Sequence, residues 1–240
     1  MNIVITSGGT SEPIDNVRKI TNSSSGKLGK LIADEVLKKI DKQDTIFYIC
    51  SKKAYKPDST NVKVIEVESV DDLLNAVTKV LKENKIDYFI HLMAVSDYKV
   101  SYVSTARLLK DEINKNKEKD IEYVIKNNTN ILTGSKLSSY EDILIITLKP
   151  TPKVISKIKE ISPDTFLVGF KLLDDASKEE LIKVAKGIRD KNKCDLVVAN
   201  DLKSIREGKH VAYIIDKDNN EIQVIGKQNI AQKLTKKLFS

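Results

Sequence analysis

The sequence predicts an α/β fold: a Rossmann-like, mostly parallel sheet with helices on both faces, plus a long flap and a C-terminal β-hairpin. Short apolar runs alternate with amphipathic segments along most of the 240 residues, which is how strand–helix–strand units read. An apolar fraction of 40% supplies a full core, and only nine glycines and five prolines interrupt it. Two polar stretches break the rhythm, one in the middle and one near the end.

The first apolar run, Asn2 to Thr6, reads as a strand. A loop rich in Gly, Ser and Pro follows, then an amphipathic helix from Gly26 to Lys39 with Leu28, Leu31, Ile32, Val36 and Leu37 on one face. Strands are expected at Thr45 to Cys50, Val62 to Val67 and Asp87 to Ala94. The last two are joined by a helix from Val70 to Leu81, with Ser69 as its N-cap and Asp71 and Asp72 in its first turn. From Asp97 to Tyr140 the chain turns polar and lysine-rich, and this region, about residues 97–141, is read as a flap within one domain spanning 1–240. The alternation resumes with a strand at Asp142 to Leu148, a helix at Lys153 to Ile161, a strand at Phe166 to Phe170, a helix at Ser177 to Lys193 and a strand at Asp195 to Ala199. His210 to Ile215 and Glu221 to Ile225 flank the polar cluster Asp216 to Asn220 and so form a hairpin, before a last helix from Asn229 to Leu238.

Composition excludes several classes. No apolar run reaches the roughly 18 residues of a membrane span, and no basic, hydrophobic leader precedes the first strand, so a cytoplasmic chain is expected. Cys50 and Cys194 sit in apolar runs far apart, which suits buried thiols in a reducing compartment better than a disulfide. With two cysteines and two distant histidines no metal cluster is expected. The net charge of +7 is spread over lysines that alternate with acids on helix faces, and this diffuse pattern favours a solvated surface or a small phosphorylated ligand over nucleic acid.

A parallel sheet binds ligands outside the carboxyl ends of its strands. After the first strand, Gly8 and Gly9 let backbone amides approach an anion, and Ser7 and Thr10 add hydroxyls. The run Asn22, Ser23, Ser24, Ser25, Gly26, Lys27 precedes the first helix, so its donors face whatever lies at that positive helix end. The fourth strand ends in Met93, Ala94, Val95, Ser96, Asp97, where a carboxylate suits a ribose hydroxyl or a metal, or simply caps the next turn. Neither G-x-G-x-x-G nor a Walker loop is present.

Ile5 to Gly29, reading ITSGGTSEPIDNVRKITNSSSGKLG, resembles the opening signature of the phosphopantothenate–cysteine ligases. In order, Met93 to Tyr98 is similar to that family's Ala-Ala-Val-Ala/Ser-Asp-Tyr segment, Lys136 to Ser139 to its Lys-Ile-Lys-Lys segment, Leu167 to Phe170 to its Val-Val-Gly-Phe strand, and Asp195 to Asp201 to its Asp-Leu-Ile-x-Ala-Asn-Asp stretch. The resemblance implies a stand-alone bacterial enzyme that joins 4′-phosphopantothenate to L-cysteine through an acyl-nucleotide. CTP would be the nucleotide, Mg2+ its companion, and a homodimer the assembly. By the same resemblance Asn22 and Lys136 are catalytic, while Gly8, Gly9, Ser24, Ser25, Gly26, Ala94, Asp97, Phe170, Lys186 and Lys191 bind nucleotide and phosphate. Ser138 and Ser139 depart from the family's lysines, and Met93 from its alanine. Two other readings remain: a nucleotide-binding protein without catalysis, and a short-chain dehydrogenase, whose Tyr-x-x-x-Lys spacing occurs at Tyr48/Lys52 and Tyr213/Lys217.

Overall fold

A computed structural model describes residues 1–132 and 143–239. Among these the chain runs β1 (Asn2–Ser7), β2 (Ser11–Pro13), β3 (Lys19–Thr21), α1 (Lys27–Leu37), β4 (Thr45–Ser51), β5 (Val62–Val67), α2 (Val70–Glu83), β6 (Tyr88–His91), β7 (Tyr98–Thr105), α3 (Ala106–Lys115) and α4 (Ile121–Lys126). It continues with β8 (Leu144–Pro150), α5 (Val154–Ile161), β9 (Phe166–Leu173), α6 (Lys178–Asn192), β10 (Leu196–Asp201), α7 (Leu202–Arg206), β11 (Val211–Asp216), β12 (Glu221–Ile225) and α8 (Lys227–Leu238). Two compact units emerge, one made of residues 1–10, 22–95 and 153–240, the other of 11–21 and 96–152.

The first unit holds an eight-stranded sheet in the order β12-β11-β10-β9-β6-β1-β4-β5. Six of these strands are parallel and follow the order 3-2-1-4-5-6 of dinucleotide-binding folds when counted among themselves. Alternation within the strands builds two cores. Val4, Phe47, Ile49 and Phe89 face one side, with Leu73 and Val77 of α2, Ile158 of α5 and Leu181 of α6. Ile3, Ile5, Ile46, Tyr48 and Ile90 face the other, with Ile32 and Val36 of α1 and Ile230 and Leu234 of α8. Both thiols are buried, and burial pushes Cys50 up to about 11 and Cys194 up to about 12, so neither is a ready nucleophile.

Local signals placed several elements well. Ser69 Oγ accepts from the Asp72 amide at 3.1 Å while the Asp72 carboxylate accepts from the Ser69 amide at 3.0 Å, closing a capping box at the start of α2. The expected hairpin is β11 and β12, added antiparallel to the edge of the parallel strands.

The second unit corrects the reading of the middle of the chain. Where a polar loop is expected, β7, α3 and α4 form; β8, expected in the parallel sheet, instead pairs antiparallel with β7 in a sheet of its own. Side chains tie the long connection down: Tyr102 Oη donates to the Ile125 carbonyl at 2.8 Å, and Ser104 Oγ to that of Asn130 at 2.8 Å. The unit eludes composition because it buries little, α3 having no buried residue and α4 only Val124. The loop after β1 likewise contains a small hairpin, β2 and β3, whose turn is held by Asp15 accepting from the Arg18 amide at 2.7 Å and guanidinium at 2.7 Å.

Candidate functional site

The strand order reverses at β1, with β4 and β5 on one side and β6, β9 and β10 on the other. At such a switch point the loops leaving β1 and β6 diverge and open a crevice. Here their exits are first stitched together. The Ala94 amide donates to the Gly8 carbonyl at 2.9 Å and the Thr10 amide to the Ala94 carbonyl at 3.0 Å. One residue earlier, Thr6 Oγ1 accepts from the Met93 amide at 3.2 Å and shares a hydrogen bond with His91 Nδ1 at 2.9 Å. Burial holds His91 down at about 4, so it serves as a neutral strut.

Beyond these exits lies a cavity of ≈ 320 Å³. Gly8, Ser24, Ser25 and Gly26 line one wall, Leu92 to Ala94 and Phe170 another, and Asn200, His210 and Lys227 a third. The α1 wall suits an anion. Its N-cap is Gly26 at φ 72, a left-handed position favouring glycine that offers no side-chain cap; the Lys27 amide makes only a long bond to Ser25 Oγ at 3.4 Å, and the amides after it are left for a ligand. The loop is braced from below by the Tyr55 amide on the Ser25 carbonyl at 3.0 Å and by Ser7 Oγ on the Gly26 carbonyl at 3.2 Å. Gly29 lets α1 approach β1, since a Cβ there would stand 2.3 Å from Ser7 Oγ.

These glycines explain the missing fingerprint. Gly8 and Gly9 sit before residues 11–21, and Gly26 and Gly29 after them, so the β2–β3 insertion splits a dinucleotide-type glycine set that the fold reunites in space.

The third wall comes from the C-terminal hairpin. β11 runs antiparallel to β10 and β12 reverses again, so the residue before β11 and the residue after β12 both return to the carboxyl end of β10. The Gly226 amide donates to the His210 carbonyl at 3.0 Å and fixes that meeting. α8 starts there, again with an uncapped glycine at positive φ followed by lysine, Gly226 and Lys227 repeating Gly26 and Lys27. Lys27, Lys171 and Lys227 make the cavity positive, and none of its lining residues is acidic among the described residues. His210 is buried, with Nε2 against Asn200 Oδ1 at 3.1 Å; desolvation, helped by the Lys227 charge, lowers it to about 4.

The predicted site residues divide accordingly. Gly8, Ser24, Ser25, Gly26, Ala94 and Phe170 line the cavity, and Gly9 pairs with Ala94 beside it. Asn22 supports this wall: its amide nitrogen donates to the Val95 carbonyl at 3.0 Å and its backbone N–H to Thr10 at 3.1 Å. Asp97 is exposed just before β7 in the second unit. Lys186 is paired with Glu221 at 3.0 Å, and Lys191 sits in the last turn of α6. A helix joining two parallel strands runs against them, so that end of α6 lies at the strands' amino edge, away from the cavity. Lys136 falls outside the described residues. Tyr48 is fully buried in β4, its hydroxyl donating to the Tyr55 carbonyl at 2.9 Å, and Tyr213 lies in β11, so neither stands on a helix as a dehydrogenase tyrosine does. Asn200, His210, Lys171 and Lys227 are not among the residues expected from sequence. The hairpin geometry and the second Gly-Lys pair were the signals available for two of them.

A family model described as the DNA/pantothenate metabolism flavoprotein C-terminal domain matches residues 1–135 and 131–240. The coenzyme A biosynthesis bifunctional protein CoaBC of Thermococcus kodakarensis is 32% identical over 233 residues, 97% of this chain and 49% of its own length. Its counterpart in Methanocaldococcus jannaschii is 28% identical over 238 residues, 98% of this chain and 50% of that protein. The chain thus spans about half the length of these curated relatives. Among solved structures, the DNA/pantothenate metabolism flavoprotein from Streptococcus pneumoniae is 36% identical, with a TM-score of 0.84, covering 100% of this chain and 98% of that one. A complex of the Cab2 mutant H337A with phosphopantothenate-cysteine shares the fold at 17% identity, with a TM-score of 0.71, covering 99% and 85% of the two chains.

Proposed function

We propose, from the premise that this chain belongs to the family of the DNA/pantothenate metabolism flavoprotein C-terminal domain, that it joins 4′-phosphopantothenate to L-cysteine. The product is 4′-phosphopantothenoylcysteine, an intermediate of coenzyme A biosynthesis, and the reaction runs through an acyl-nucleotide in the cytoplasm. The observation that carries this reading is the positive cavity at the switch point, with the glycine-led start of α1 and the Gly8 loop side by side on one wall.

In the first half-reaction the pantothenate carboxylate attacks the α-phosphorus of CTP, and pyrophosphate leaves. This step needs positioning and charge rather than covalent help. The amides of Gly8, Gly9 and Gly26, with the hydroxyls of Ser24 and Ser25, supply neutral donors, Lys27 and Lys227 supply cations, and Phe170 offers a face to the base. Mg2+ would ride on the triphosphate, held by phosphate oxygens and water as is its habit; among the described residues no group of three or more His, Cys, Asp or Glu is placed to cage it. In the second half-reaction the cysteine amine attacks the acyl carbon and the nucleotide leaves. Asn22, held beside the Gly9 turn, orients the carbonyl oxygen, and Lys136 with Asp97 complete the nucleotide's surroundings, with Lys186 and Lys191 as outer contacts. The active form is a homodimer.

The test is pyrophosphate release from CTP on addition of phosphopantothenate, followed by cysteine-dependent release of CMP. Binding of CTP without pyrophosphate release overturns the ligase reading in favour of a binding protein.

A further inference from the structure

His210 concentrates three unfavourable features in one residue. Its backbone is left-handed, φ 50, without being glycine. Its ring is desolvated, the residue being 7% exposed, with Nε2 on Asn200 Oδ1 at 3.1 Å; that oxygen only accepts, so Nε2 carries the proton. Nδ1 is thereby left as an acceptor shut off from solvent and without a hydrogen-bond partner. A glycine would avoid all three. Strain of this kind persists where the surroundings enforce it, most often at functional positions.

What the ring adds is a joint. The β10–β11 ladder ends at the pair Asn200 and Ala212, and the imidazole reaches Asn200 from two positions outside it. The backbone of His210 is gripped as well: its amide donates to the Ser204 carbonyl of α7 at 3.0 Å, and its carbonyl accepts from the Gly226 amide at 3.0 Å. Ser204 is itself buried, its Oγ accepting from the Val211 amide at 3.0 Å and donating to the Asp201 carbonyl at 2.7 Å. The end of β10, α7 and the start of α8 therefore meet on this one residue. Lys227, which lines the cavity, follows Gly226 directly. On its other side Gln228 Nε2 donates to Oε1 of the buried Glu35 of α1 at 2.6 Å. Lys227 thus stands between two anchored neighbours, one tied to His210 and the other to α1.

We propose that His210 is a positioning residue for the cavity's anionic ligand: through Gly226 it sets the direction from which Lys227 enters the cavity, and Asn200 holds the ring that holds the turn. A lysine on a loose turn gives up conformational freedom each time an anion binds, whereas a preset one gives up less. The Lys227 charge also reaches the imidazole, adding to the burial that lowers His210 to about 4 and keeps it an uncharged post.

This rests on the reading of the cavity as the site of nucleotide and phosphopantothenate, and equilibrium binding tests it apart from turnover. Binding of CTP, and separately of phosphopantothenate, is measured by titration calorimetry for Lys227→Ala, His210→Gly and the double variant, with thermal melts to establish folding. Glycine keeps the left-handed turn and removes only the ring. The anion that Lys227→Ala weakens about tenfold, the scale of a hydrogen bond to a charged group, should be weakened about three- to tenfold by His210→Gly. The double variant should bind no worse than Lys227→Ala alone, because the ring acts through the lysine, whereas the loss should multiply with that of Lys27→Ala. Asn200→Leu, which leaves His210 in place and removes its acceptor, should behave as His210→Gly does. His210→Gln, whose amide can donate to Asn200 in place of Nε2, should recover most of the affinity. Wild-type affinity in His210→Gly, unaltered affinity in Lys227→Ala, or losses that multiply in the double variant overturn the assignment. A wild type that shows the coupling yet releases no pyrophosphate from CTP overturns the ligase reading and leaves the positioning role in place.

Discussion

The backbone carbonyl of Asn22 occupies the space where a side chain on Gly9 would stand: a Cβ at Gly9 would come within 1.8 Å of that oxygen. Gly9 does not need a positive φ, so its requirement is purely one of room. Gly9→Ala is expected to push the Asn22 segment off the Gly9 turn and lower ligation about 100-fold, the scale of an angstrom-sized displacement of reacting groups. Steady-state kinetics with a thermal melt decides it. Wild-type activity would mean the segment yields freely.

Asn22 gives a second test through its side chain. Asn22→Asp removes the donor to the Val95 carbonyl and puts a negative charge beside a developing oxyanion. Ligation should fall about 100-fold or more, in line with loss of one positioned donor, with the circular dichroism spectrum unchanged. Activity within a few-fold of wild type would reduce Asn22 to a loop support.

The lysines divide into two sets with opposite expectations. Lys27→Ala and Lys227→Ala should each raise the KM for nucleotide or phosphopantothenate about tenfold, since a hydrogen bond to a charged group contributes roughly 1.5–3 kcal/mol. Lys186→Ala breaks a partly exposed pair with Glu221, of a kind worth roughly 0–1 kcal/mol, and activity should stay within about twofold. A tenfold loss at Lys186 would bring back the role the family resemblance implies.

The nucleotide preference rests on the resemblance alone: kcat/KM should be at least about tenfold higher for CTP than for ATP, a difference of ~1.4 kcal/mol. Equal use of both refutes it.

His91 and His210 both have folded values near 4 against 6.5 for an ordinary histidine, through burial in each case. Between these values the unfolded chain binds protons that the folded chain does not, so stability rises with pH across that window and is lost as pH falls from 6.5 toward 4. Denaturant unfolding at pH 7 and pH 4.5 should show this fall, and His91→Asn should flatten it. An unchanged slope in that variant would sink the assignment.

What could be read from the sequence follows the distribution of apolar side chains. Strands such as Thr45 to Ser51 and helices such as Val70 to Glu83 bury continuous or periodic apolar faces, and both were legible within two residues. The second unit was not, because its helices commit almost nothing to a core. The anion wall could be seen in Gly8 and in Ser24 to Gly26, since glycine and hydroxyl chemistry is local. The third wall was missed although the hairpin was expected, because His210 and Lys227 reach the cavity only when its two reversals are followed back to the carboxyl end of β10. Their neighbours in sequence say nothing of β10.

Those reversals also set an order of events during synthesis. The α1 wall is available once β1, β4 and β6 have left the ribosome, but Lys227 and the helix it begins emerge only after β9 to β12 have been made. A nascent chain therefore carries half of a cavity until α8 docks on α1, and a chain truncated before Gly226 would keep most of its sheet yet lack the cation and helix end that complete the pocket. Ligand binding thus becomes a report on whether the terminal hairpin and α8 have been made and have docked.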